Sequence, residues 1–267
     1  MKKKRVKTVA EKVFLYLVAG FCLLPALLVV FRSFMPLQEL AANFHIFPRQ
    51  WSTINYEKVF LLLPEFYDHF WNTVGYTCVT ILFGLPVSIL AGYAFCFLSF
   101  RLKRNLFLLY VVLMLMPFQA ILVPQYLMLN RIHLLNAGAS VVLPNIFATF
   151  GTVLMTQYMM GIDRELLEAG KMDGLGKVSL FTRLIVPMCM PIIGSYIVLT
   201  FFECWGMVEQ PMIFLKDSEL YPLALWLNQV QIEYRLPGSV VYSILPLLLY
   251  AWGKDHMLSG IGFGSIK

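Results

Sequence analysis

The chain has 267 residues, 59% of them hydrophobic and 13% charged, with a mean hydropathy of +0.73 and a net charge of +6. Soluble domains carry about 25% charged residues, so lipid is the main solvent here, and the apolar runs are continuous rather than alternating, which excludes a β-barrel. The positive charge is no nucleic-acid footprint: six of the 21 basic residues (Lys2, Lys3, Lys4, Arg5, Lys7, Lys12) crowd in just ahead of an apolar run, as on the cytoplasmic flank of a membrane helix.

Residues 1–12 are thus a basic leader, and 13–31, "VFLYLVAGFCLLPALLVVF", a first span. Nineteen residues are long for the apolar part of a signal peptide, and no A-x-A-like site follows. A polar external connection takes 32–69. The second span covers 70–100 and ends at the basic cluster "RLKRN". The third, 106–129, is interrupted by Pro117 and Pro124. The fourth covers 139–160 and the fifth 187–208. After a connection at 209–238 the last span begins near Ser239. Its 15 residues to Gly253 give only about 22 Å of helix against roughly 30 Å of hydrocarbon, so neighbouring residues must extend it. The expected fold is an all-α integral membrane protein of six transmembrane helices. With the N-terminus inside, inside segments hold 15 Lys and Arg and outside segments six, which puts both termini in the cytoplasm.

The five cysteines are scattered in apolar stretches with no CxxC pair, which fits buried thiols better than disulfides or zinc. His45, His69, His133 and His256 form no ligand spacing, so no metal is expected. No G-x-x-x-x-G-K-[ST] loop and no nucleophile–base pairing occur. No cofactor is expected, and the chain does not read as an enzyme.

Between spans four and five lies "GIDRELLEAGKMDGLGKVSLFTRLIVP", residues 161–187, placed inside by the charge count. Asp163 is a good N-cap and Glu165 suits the positive first turn. Leu166, Leu167 and Met172 give a partial apolar face. Gly174 and Gly176 are natural stops, because glycine accepts the left-handed conformation of a helix end. A second short helix starts near Lys177, with Val178 and Phe181 on one side, and Pro187 marks its end. A helix of about ten residues is marginal alone in water, so it packs on something. Both its own bundle and a cytoplasmic partner stay open.

This stretch resembles the EAA signature of binding-protein-dependent ABC importer permeases: E-A-A, three residues, G, nine residues, I-x-L-P. Glu168, Ala169, Gly174 and Pro187 are identical, Leu184 and Val186 are conservative, and Gly170 replaces alanine. That replacement loosens the helix by about 1 kcal/mol. From residue 70 to 267 the chain is similar to carbohydrate permeases of the maltose-transporter inner-subunit type, through "WNTV" (71–74), "AGYAF" (91–95), "LMPFQAILVPQYLMLNRIHLLNAGASVVLP" (115–144) and "YPLALWL" (221–227). "FFECWGMVEQPMIFL" at 201–215 keeps only the tryptophan of that group's S-W-N-D run, which leaves the substrate open.

The resemblance implies a type I ABC importer permease fold in a prokaryotic cell membrane, with residues 70–267 as the permease core. It implies a coupling helix between spans four and five, with Glu168, Ala169, Gly170, Asp173, Gly174 and Pro187 as its ATPase-coupling residues. It implies four kinds of partner: a second homologous permease, two ABC ATPase subunits, an extracytoplasmic solute-binding protein and a carbohydrate moved by alternating access. The tail at 254–267 would reach the ATPase pair, and the 209–238 connection, with Tyr221 and Trp226, would meet the binding protein. An importer of glycerol phosphate or another non-sugar solute is the nearest rival. An ion-coupled carrier is disfavoured by few acidic residues in the spans and no obvious inverted repeat.

Three residues are candidates for the substrate path. Gln119 lies beside the proline break, where freed backbone groups can meet a solute. Glu203 is an ionisable group inside a span, expensive there unless it serves a purpose. Trp205 could stack on a sugar or simply pack. Asn72 is expected at a helix start.

Overall fold

The computed structural model describes the backbone of residues 2–41 and 45–262, and side chains within 11–41 and 45–254. The described residues are helical and contain no strand. In chain order the α-helices are α1 (Lys2–Ser33), α2 (Leu37–Ala41), α3 (Ile54–Glu57), α4 (Glu65–Phe97), α5 (Lys103–Met114), α6 (Phe118–Arg131), α7 (Gly138–Ile146), α8 (Thr149–Met159), α9 (Arg164–Met172), α10 (Lys177–Leu180), α11 (Val186–Met188), α12 (Met190–Trp205), α13 (Glu209–Phe214), α14 (Leu223–Gln229) and α15 (Ile232–Gly262). Four helical stretches are long and apolar enough to cross a membrane: Glu11–Ser33, Glu65–Phe97, Gly138–Met159 and Ile232–Lys254. Two bent pairs raise the number to six if each is one span.

Those bends refine the sequence reading. Between α5 and α6 the chain turns by 107°. Pro117 stands at the N-cap of α6, with the extended ψ of 137°, and it has no N–H to continue α5. Pro124 breaks nothing and sits inside α6. The second bend, 69°, falls between α11 and α12 at Cys189, not at Pro187 as expected. Pro187 is carried inside helix because the turn before it, Phe181–Ile185, is wound wider as a π-turn, which tolerates the proline ring and its missing donor. The last span is not short. Its helix starts at Ile232 and takes in Pro237 and Gly238, which by sequence alone belong to the connection at 209–238.

The chain forms two compact units: residues 1–67 with 227–245, and residues 68–226 with 246–267. In the first, Asn55 is buried and donates Nδ2 to Met35 O at 2.7 Å. Ser33 Oγ lies 2.7 Å from Tyr56 Oη, and Lys58 Nζ meets the Glu233 carboxylate at 3.1 Å. The connection after α1 is therefore structured by its own polar pairs.

The core of the second unit joins α4, α8, α9 and α12 through Ile89, Met155, Met159, Leu167, Ile192, Ile193 and Tyr196. Gly92 lets α4 lie against Met155 so closely that a Cβ would come within 2.8 Å of it, the small-residue device of helices packed in lipid. Polar side chains on α4 hold the segment before α14. Asn72 Nδ2 donates to Glu219 O at 2.6 Å, Tyr76 Oη donates to Leu220 O at 2.8 Å, and the Leu223 amide donates to Thr73 Oγ1 at 2.7 Å. Asn72 thus has no helix-start role, since α4 begins seven residues earlier at Glu65.

Candidate functional site

Two sites take shape in the second unit. The first is the end of α9. Asp163 occupies the N-cap position with extended backbone, yet its side chain makes no capping hydrogen bond. The helix end is built by backbone alone. The Gly174 amide donates to Lys171 O at 3.0 Å and the Leu175 amide to Gly170 O at 3.0 Å, with Gly174 at φ +82°. That is a Schellman turn, and it requires a left-handed residue at this point.

Only one residue of the expected apolar face, Leu167, turns inward, at 8% exposure. Gly170 is buried beside it, and a Cβ there would lie 3.2 Å from Leu180, 3.4 Å from Leu175 and 3.6 Å from Leu184. Leu166 points out, Met172 is 89% exposed, and Val178 is 76% exposed while Phe181 packs on Tyr93. Glu168, Ala169, Asp173, Gly174 and Pro187 are all exposed. A groove of about 600 Å³ runs alongside, lined by Glu168 together with Lys103, Arg164, Lys171 and Lys177. Lys103 is already engaged, donating to Cys96 O at 3.0 Å and Leu98 O at 2.9 Å at the end of α4.

The second site is a cleft where the α5–α6 bend faces α7 and the end of α12. One lobe, of about 400 Å³, is lined by Phe118, Asn145, Glu203, Glu209 and Gln210 among others. A second, of about 440 Å³, shares Phe118, Asn145, Glu203 and Gln210 and adds Gln125 and Phe150. Its wall is a hydrogen-bonded amide pair. Asn145 Nδ2 donates to Gln210 Oε1 at 2.8 Å and to Val141 O at 2.7 Å, and Gln210 itself is buried. At the rim, Gln119 Nε2 donates to Glu209 Oε2 at 3.3 Å.

Of the three path candidates, Glu203 lines both lobes, Gln119 lines neither and reaches the rim through Glu209, and Trp205 lies outside the lining. Trp205 is 2% exposed, stacked on Phe201 at 5.0 Å and edge-on to Phe70 at 6.0 Å. It stacks on one aromatic neighbour and meets another edge-on, which is the packing alternative the sequence leaves open. Trp226, expected as a surface contact, is 6% exposed and lies 5.2 Å from the His69 ring. Asn145, Glu209 and Gln210 were missed. Their signal was available: an amide after Pro144 inside an apolar span, and an acid–amide pair directly after the span that carries Glu203. No cluster of three metal-ligating side chains occurs among the described residues. The expected tail contact at 254–267 lies outside the described side chains, Lys254 apart.

Known proteins place this architecture. Residues 84–253 match the family described as binding-protein-dependent transport system inner membrane component. The arabinooligosaccharides transport system permease protein AraQ of Bacillus subtilis is 27% identical over 262 residues, 95% of this chain and 91% of that protein. The multiple sugar-binding transport system permease protein MsmG of Streptococcus mutans is 25% identical, with both chains covered completely. A chain in the crystal structure of a bacterial ABC transporter that imports the acidic polysaccharide alginate superposes with a TM-score of 0.83 at 19% identity, covering 96% of this chain and 97% of that one. The fold is that of an ABC importer permease. The chain belongs to the binding-protein-dependent transport system inner membrane components, and it is therefore a multi-pass membrane transport subunit rather than an enzyme in its own right.

Proposed function

We propose that the chain is a permease subunit of an ATP-driven importer for a carbohydrate. The two bent helix pairs each count as one span, giving six, with both termini in the cytoplasm and residues 70–267 as the permease core. Helix α9 is the coupling helix. It docks on one of two ABC ATPase subunits, and a second homologous permease completes the pathway. A solute-binding protein delivers the sugar to the outer face. The tail beyond residue 254 reaches towards the ATPase pair.

The observation that carries the coupling role is the outward apolar side of α9. Met172 and Val178 stand exposed around the Gly174 turn, next to the exposed Glu168. Exposed apolar side chains on a short helix mark an interaction surface, and Leu167 anchors the same helix in the core that includes α12. A push on α9 is thereby passed to the spans. The carbohydrate reading is supported by what the similar permeases named above are described as transporting. It is supported too by the cleft, where carboxylates and amides stand among aromatic side chains, the mixture that grips hydroxyl-rich ligands. Glu203 and Gln119 belong to that path by this reading.

Purification of the tagged chain from its native membrane in mild detergent, followed by mass spectrometry, tests the proposal. An ABC ATPase and a second permease should co-purify. A folded chain that brings neither would refute it.

A further inference from the structure

We infer that the cleft admits neutral or cationic saccharides and rejects anionic ones. This rests on the reading of the cleft as part of the substrate path. Among the described residues that line its two lobes, the charged ones are Glu203 and Glu209, with no Lys, Arg or His. An anion leaving water needs a cation or several N–H donors to replace its hydration.

The donors of the Asn145–Gln210 wall and of the rim are engaged. Asn145 Nδ2 serves Val141 O and Gln210 Oε1, and Gln119 Nε2 serves Glu209. Gln125 Oε1 is buried there without a hydrogen-bond partner, and the carboxylates of Glu203 and Glu209 add four acceptor oxygens when ionised. Protonating a carboxyl supplies one donor but no positive charge, so neither state of Glu203 helps an anion. A cleft whose charged groups are two carboxylates, with no cation among them, is complementary to hydroxyls, each of which brings an O–H, and to ammonium groups. It is not complementary to uronates or sugar phosphates. The shared fold therefore does not carry over the acidic cargo of the alginate transporter.

The test has two arms on the whole transporter, purified with its partners. In the first, a cysteine-free chain carries Ala148→Cys in the cleft, and the thiol is modified by cationic trimethylammonium-ethyl or anionic sulfonatoethyl methanethiosulfonate. The rates are normalised to those of a small free thiol. The cationic reagent should be favoured by about 10-fold, the lower end of what one-signed clefts achieve, and the preference should collapse in the Glu203→Gln/Glu209→Gln variant. A ratio near one, or one indifferent to that double substitution, overturns the inference. Thr149→Cys replaces Ala148→Cys if the latter fails to assemble.

In the second arm, proteoliposomes take up labelled oligosaccharides of matched length: neutral arabinan, cationic chitosan or anionic alginate fragments. Uptake confined to the first two sustains the inference. Alginate uptake at the neutral rate overturns it while leaving the carbohydrate importer intact. If no sugar moves in an assembly that hydrolyses ATP, the carbohydrate reading fails instead, and the thiol arm, which needs no substrate, still decides the charge preference.

Discussion

The end of α9 and the cleft are built by opposite means. The first is local: six consecutive residues, 170–175, close it through backbone hydrogen bonds, and one glycine at φ +82° fixes its shape. The second is assembled from residues far apart in sequence, with Asn145 bonded to Gln210 and Gln119 to Glu209 across segments 65 and 90 residues apart. A locally built helix end tolerates change elsewhere in the chain. A cleft assembled from separate helices changes whenever those helices move, which suits the proposed pathway role.

The contrast can be broken or sharpened by substitution, beginning where the effect is largest. Trp205→Ala should cost about 3–5 kcal/mol, because it empties an aromatic cluster, seen as a drop in melting temperature of the detergent-solubilised transporter. Trp205→Phe should keep both stability and the range of sugars taken up. A changed sugar range at full stability would return the ring to the pathway. Asn145→Ala should cost about 1–3 kcal/mol by stranding the buried Gln210 carbonyl, and a double-mutant cycle with Gln210→Ala should show coupling between the two. Strict additivity would mean that the amide pair does not hold the cleft wall.

At the α9 end, Gly174→Ala meets no atom within 4 Å. Its cost is therefore purely that of the left-handed backbone, about 1 kcal/mol. It should show as fewer sugars moved per ATP hydrolysed, and less so in Gly174→Asn. An unchanged transport ratio in both would separate the turn from coupling. The smallest effect is Gly170→Ala. Helix propensity favours alanine by about 1 kcal/mol, against a 3.2 Å approach to the flexible end of Leu180. The net should be a stabilisation between zero and that figure, read from thermal unfolding.

The same contrast explains what could be read from the amino-acid order. Gly174 announced its own turn, and the apolar runs announced their helices, because both signals are contiguous. The 107° bend was legible at Pro117 but not at Pro124, since a proline stops a helix only where its surroundings do not absorb it. The widened turn at Phe181–Ile185 did that for Pro187 and moved the second bend to Cys189. The cleft was half legible. Glu203 stood out as a charge in a span, whereas Asn145 looked like one amide among apolar residues until the fold set Gln210 beside it. Trp205 stayed ambiguous because a tryptophan that stacks on a sugar and one that stacks on Phe201 have the same letter.

The Schellman turn also bears on how such a subunit diversifies. Its two closing hydrogen bonds, from Gly174 and Leu175 to Lys171 and Gly170, use only main-chain atoms. Shape and surface are thus separately heritable at this spot. Glu168, Lys171, Met172 and Asp173 can be exchanged one by one as a partner drifts, while the lever keeps its length and angle. On the proposed coupling role, a permease with this arrangement could change allegiance from one motor to another through point substitutions that leave the turn intact.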